Sequence, residues 1–206
     1  MEIRRVKKHD VDMTSGSVFR HLLNFAVPLL MGNIFQQLYN TVDTWVVGNY
    51  VSNEAFSAVG TVAPIINTLI GAFSGLASGA GVVISQYYGA GKYDRVKDAV
   101  HTAVMMTLVL SVVFTAIGIA MTPNMLRLMK TPAEVFPESR AYLNIYFSGM
   151  AGLMLYNMGA GILRAVGDSK RPFYYLVCAA VINTVLDLVF VIAFGMGVEG
   201  VAYATI

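Results

Sequence analysis

The sequence predicts an all-α protein, a polytopic membrane helix bundle with five complete spanning helices and the start of a sixth. Three observations carry this. First, 56% of the 206 residues are hydrophobic and 13% charged, about half the charged share of a soluble domain, and mean hydropathy is +0.63. Second, apolar runs fall at 20–48, 55–86, 99–122, 139–162 and 173–195, with another opening near 198. Each of the five is long enough for the roughly 20 residues that a crossing needs. Third, Lys and Arg keep to the loops and the ends of the runs.

Residues 1–19 form a polar tail without the apolar stretch of a secretory signal, and 20–206 form the membrane-embedded part. The first and second runs contain Pro28 and Pro64, positions where a membrane helix kinks. The second run also carries Gly71, Gly75 and Gly79 at four-residue spacing, which reads as a close-packing stripe. Gly89-Ala90-Gly91-Lys92 reads as a helix-ending turn. It is not a phosphate-binding loop, because the first glycine is misplaced and no Ser or Thr follows the lysine. The Pro-bearing segment 122–138 reads as an external loop. Cys178 lies in the fifth apolar run, where buried packing is the expectation, and a lone cysteine makes no internal disulfide. Gly195 to Gly200 match GxGxxG, but a dinucleotide site needs a soluble βαβ unit and a later acidic residue. The match reads as a short external turn.

Loop charges predict orientation. Arg4, Arg5, Lys7, Lys8 and Arg20, then Lys92, Arg95 and Lys97, then Arg164, Lys170 and Arg171 fall on one side. The other side has Arg127, Lys130 and Arg140. The positive-inside rule places the N-terminus in the cytoplasm and the protein in the cytoplasmic membrane. Basic residues spread over loops do not make a nucleic-acid-binding face.

Two acidic residues break the pattern. Asp43 and Asp187 sit inside stretches that otherwise read as spanning, and an ionisable group in hydrocarbon marks an ion or proton pathway by default. Around Asp43, the residues Asn33, Gln36 and Asn40 recur at helical spacing. Asn183 stands one turn before Asp187, and Tyr142, Tyr146 and Asn157 occupy the fourth run. A carboxyl group in low dielectric favours its neutral form and can load and unload a proton. With amide and hydroxyl oxygens beside it, it can instead help cage Na⁺. Loading either cation neutralises the carboxylate and changes which helix packing is preferred, the differential that coupled transport requires. The alternative is that these groups cap kinks or pair with neighbouring hydroxyls and amides.

Three stretches resemble the N-terminal half of a multidrug and toxic compound extrusion (MATE) transporter. They are PLLMGNIFQQLYNTVDTWVVG, SGAGVVISQYYGAGKYDRVKDA and GILRAVGDSKRPFYYLVCAAVINTVLDLVFV. The most specific element is the R-A-x-G-D-x-x-x-P loop followed by N-x-x-x-D. The resemblance implies one lobe of a two-lobed, twelve-helix antiporter that exports organic, often cationic, compounds in exchange for H⁺ or Na⁺. It needs no other cofactor. It implies a cation site at Asp43, Asn183, Asp187 and Thr205, with Thr205 supplied by the resemblance alone. Tyr142 and Asn157 match the family's supporting network, beside the stripe residues Gln36 and Asn40. The partners expected are the organic substrate, membrane lipid and a missing C-terminal lobe, with the sixth helix cut short.

Three other readings stay open. A lipid-linked or polysaccharide flippase would place basic residues inside a lipid-open groove. A non-transporting half-protein would dock on another lobe through the glycine stripe. An intramembrane hydrolase would use Ser74, Ser78 or Ser85 with His101, but no GxSxG is present. His9, His21 and His101 have no metal-ligand spacing.

Overall fold

The computed structural model describes residues 17–206. The basic residues of the tail, Arg4 to Lys8, lie outside that range. The described residues fold into seven α-helices: α1 (Val18–Tyr50), α2 (Asn53–Gly89), α3 (Tyr93–Leu128), α4 (Phe136–Ser148), α5 (Met150–Ala165), α6 (Lys170–Leu188) and α7 (Gly197–Thr205). A single π turn, Val189–Ala193, continues α6. No strand occurs among the described residues.

Three helical stretches meet the length and apolarity of a membrane span: α2, α3, and α6 with its π turn. Helix α1 is long, at 33 residues, but its polar stripe dilutes its hydropathy. The fourth apolar run is two helices rather than one. It breaks between Ser148 and Gly149, where the backbone of Gly149 leaves the helical region (φ −85°, ψ 3°). Helices α1 and α2 run unbroken through Pro28 and Pro64.

Local chemistry ends the helices. After α2 the chain turns at Gly91 (φ 69°). The Lys92 amide donates to the Tyr87 carbonyl and the Gly91 amide to that of Tyr88, both at 3.0 Å. This is the paired closure that favours a left-handed residue. The same closure follows α5 at Gly167 (φ 89°) and α3 at Lys130 (φ 55°), a lysine doing glycine's work. The start of α6 is capped by Asp168, whose Oδ1 accepts from the amides of Lys170 and Arg171 at 3.1 Å each. Its Oδ2 pairs with Arg171 Nε at 3.1 Å. The GxGxxG match opens in the turn between the π segment and α7 and continues into the first turn of α7, so only its first residues are a turn; Gly195 and Gly197 are both left-handed (φ 64° and 62°).

The helices pack chiefly as α2 on α5, α1 on α6, α3 on α4 and α5, and α7 on α4. The core holds Val46, Val62, Phe73, Leu126, Leu143, Phe147, Met150, Met154 and Val201. Two buried hydroxyls bond within their own helix: Thr107 donates to the Ala103 carbonyl at 2.7 Å and Thr122 to that of Gly118 at 2.8 Å. The outside is apolar too, with Leu30, Leu38, Val109, Val112, Val181, Ile182 and Ile192 all exposed. Such a surface suits a hydrocarbon surround and is wrong for water.

That inversion corrects two expectations. Cys178 is exposed rather than buried, because in a membrane bundle an apolar run does not mark the inside. Gly71, Gly75 and Gly79 are also exposed, and a Cβ on any of them would meet nothing within 4 Å. They do not pack helices within this lobe. The close α2–α5 approach uses Gly161, where a Cβ would stand 3.0 Å from the Ala77 carbonyl oxygen and 3.1 Å from the Ala77 methyl.

Candidate cation site

Four helices place polar side chains at one buried point. Helix α1 contributes Tyr39 and Asp43, one turn apart and on one face. Helix α4 contributes Tyr142, α6 contributes Asp187, with Asn183 buried one turn before it on the same helix, and α7 ends in Thr205. Exposure is 7% for Asp43, 5% for Asn183 and Tyr142, and 0% for Asp187. Asp43 lies against Asp187 and against the phenol of Tyr39. Tyr39 and Tyr142 both face Thr205, and the field of Asp43 and Asp187 reaches both phenols. The Thr205 hydroxyl donates to the Val201 carbonyl at 2.8 Å, which leaves its oxygen lone pairs to accept.

The polar atoms at this point are under-satisfied. Asp43 Oδ1, both carboxylate oxygens of Asp187 and both amide atoms of Asn183 are buried without a hydrogen-bond partner. Each such atom costs about 1–3 kcal/mol, more when charged. Two abutting carboxyl groups add mutual repulsion when both are ionised, since like charges sharing a site cannot both be comfortable. A cation among them would satisfy the orphaned oxygens and remove the repulsion together. The donors are all hard oxygens, which suits H⁺ or an alkali cation rather than a soft metal. Among the described residues, no three His, Cys, Asp or Glu side chains gather as a metal site.

Other residues of the stripe lie elsewhere. Gln36 is half-buried on α1. Asn157, on α5, is half-buried and donates to its own helix at the Leu153 carbonyl, 2.9 Å away. Asn40 is exposed and lines an open groove of about 460 Å³ with Gln37, Thr41, Thr44, Trp45 and Asn49. Asn33 is also exposed. Tyr39 escaped the sequence reading, because a tyrosine in an apolar run looks like packing. Its position one turn before Asp43 was the available signal.

Comparison with known proteins gives the class of this membrane-embedded bundle. The MatE family profile matches residues 28–189, so the chain belongs to the MatE family of transporters. Among its relatives is the probable multidrug resistance protein YpnP of Bacillus subtilis strain 168. It is 34% identical over 195 residues, covering 95% of this chain and 44% of YpnP. The probable multidrug resistance protein YoeA of the same strain is 39% identical over 194 residues, covering 92% of this chain and 42% of YoeA. A MOP superfamily transporter from Pyrococcus furiosus superposes with a TM-score of 0.88 at 27% identity, covering 96% of this chain and 43% of that one. An outward-facing multidrug resistance MATE family transporter gives 0.84 at 29% identity, covering 92% and 42%. The chain thus spans less than half the length of the relatives it matches.

Proposed function

We propose that this chain is the cation-loading lobe of an antiporter that exports organic, often cationic, compounds in exchange for H⁺ or Na⁺. The observation that carries the reading is the buried contact of Asp43 with Asp187, together with the five orphaned polar atoms around it. Multidrug resistance and export are named for the relatives, which supports the substrate class. Asp43, Asn183, Asp187 and Thr205 hold the cation, with Tyr39, Tyr142, Gln36 and Asn157 in the surrounding network.

The physics of coupling is direct. With the cation bound, α1 and α6 meet through a neutralised pair. With it gone, two carboxylates face each other in a medium that screens them poorly. The ligand-free packing of α1 against α6 and α7 is therefore disfavoured relative to one that separates them. A ligand shifts such an equilibrium only by its differential affinity for the two packings, and the carboxyl pair supplies that difference. Asn40 and Thr44, exposed on α1, line the open groove where an organic substrate would meet a second lobe. The basic ends of α1, α3 and α6 face the cytoplasm, and the protein sits in the cytoplasmic membrane.

The test uses proteoliposomes holding the product of the complete reading frame, loaded with ethidium. An imposed H⁺ or Na⁺ gradient drives efflux in the parent, while Asp43→Asn and Asp187→Asn insert normally and do not transport. Gradient-driven efflux at the parental rate in both variants would overturn the reading.

A further inference from the structure

Helix α7 carries Thr205 to the proposed site, and two glycines outside that site pack against its neighbourhood. Ile206, the neighbour of Thr205, lies directly over Gly149 at the break between α4 and α5. A Cβ on Gly149 would overlap the Cβ and Cγ2 of Ile206. Those atoms lie at or next to the backbone, so no rotamer change of Ile206 relieves the overlap. At the other end of α7, Gly200 is buried against the π turn that follows Asp187. A Cβ there would stand 3.0 Å from Phe190 Cβ, 3.1 Å from Met196 Cβ and 3.3 Å from the Phe190 carbonyl carbon.

The π turn gives this contact its setting. The Phe194 amide reaches back five residues to the Val189 carbonyl at 3.1 Å, and the Met196 amide reaches the Phe190 carbonyl at 3.0 Å. The extra residue of a π turn is an insertion that recurs at functional sites. Here it sits between Asp187 and the reversal at Gly195–Gly197. The path from Asp187 to Thr205 therefore runs through a π turn, a double left-handed reversal and a glycine seated on that turn.

We infer that Gly149 and Gly200 are positioning residues for the cation site: by lacking side chains they let α7 seat at both ends, which holds the Thr205 oxygen toward Asp43, Asp187 and the two phenols. Neither glycine touches the cation. This inference rests on the proposed cation site and adds to it the contacts that set its fourth ligand.

The experiment separates positioning from general packing. The protein, expressed from the complete reading frame and reconstituted in lipid, is titrated with H⁺ and with Na⁺. The readout is the infrared C=O band of buried protonated carboxyl groups, assigned by its loss in Asp43→Asn and Asp187→Asn. Gly149→Ala is expected to shift the H⁺ midpoint by about one pH unit or weaken Na⁺ displacement of the band about tenfold, the lower end of effects from groups behind a metal ligand. In a Thr205→Ala background the same substitution is expected to shift neither. Equal shifts in both backgrounds, or no shift in either, would overturn the inference. If Gly149→Ala does not fold, Gly200→Ala, with its milder contacts, is held to the same comparison. If Thr205→Ala itself leaves both titrations at parental values, it is the assignment of Thr205 to the site that fails, and the positioning inference falls with it. If Thr205→Ala shifts them and neither glycine variant does, only the positioning inference fails.

Discussion

Asp43 of α1 and Asp187 of α6 meet side chain to side chain in the interior of the bundle, with Asp187 wholly shut off from solvent. No Lys or Arg stands with them; the described basic residues lie at the helix ends and in the loops. The pair has the phenols of Tyr39 and Tyr142 near it, with Thr205 against those phenols and Asn183 one turn before Asp187 on α6, and no permanent counter-charge. In the proposed cation-loading role such a pair is complete only with a cation bound, and that sets the first prediction.

Replacing one carboxyl by its neutral isostere removes the repulsion without changing the packing volume. In the absence of Na⁺, Asp187→Asn is expected to be more thermostable than the parent, by a margin that grows as pH is raised. The parent should gain stability as Na⁺ is added or pH is lowered, because a ligand that binds the folded form stabilises it by mass action. The variant should lose most of that gain. Thermal unfolding in detergent across pH and Na⁺ concentration reads both effects.

Lys130 closes α3 in the left-handed region, where a side chain is strained and glycine is not. Lys130→Gly is expected to stabilise the protein by about 1 kcal/mol, without touching the cation site. Denaturant or thermal unfolding of the variant against the parent measures this, and the ion titrations should coincide.

The glycines of α2 and α5 divide by what they face. Gly161→Leu drives a side chain into the backbone of α2 at Ala77, and overpacking of this kind costs about 1–3 kcal/mol. Gly75→Ala meets nothing within 4 Å and should leave the lobe's stability within about 0.5 kcal/mol of the parent. Parallel unfolding curves for the two variants check the contrast.

Asp168 belongs to the loop between α5 and α6, and its role is structural. Its carboxylate accepts two amide hydrogen bonds at the start of α6 and pairs with Arg171. Asp168→Ala should cost about 1 kcal/mol, as for the loss of a helix cap, and Asp168→Asn should recover most of it. The ion titration of Asp168→Ala should match the parent.

The sequence made some of this legible and hid the rest for physical reasons. Asp43, Asn183 and Asp187 stood out because charge and amide groups are costly in hydrocarbon and conspicuous against it. The turns at Gly91 and Gly167 carry their own signature, since left-handed backbone selects glycine. Tyr39 was hidden because its ring reads as apolar while its hydroxyl does the polar work. Cys178 and the Gly71, Gly75 and Gly79 stripe were misplaced because hydropathy separates membrane from water, not inside from outside. The break at Gly149 and the π turn at Val189–Ala193 leave almost no compositional trace. Their contacts show only in the fold, where Ile206 lies over Gly149 and Gly200 seats on Phe190 of the π turn.

The most direct test of the central claim is the infrared titration of the buried carboxyl band in the parent, Asp43→Asn and Asp187→Asn. A cation-loading pair predicts a band that vanishes as pH rises or as Na⁺ is added, and that is lost or altered in each variant. A parental band that is insensitive to both ions, or one that titrates unchanged in both variants, would contradict the claim that Asp43 and Asp187 load the cation.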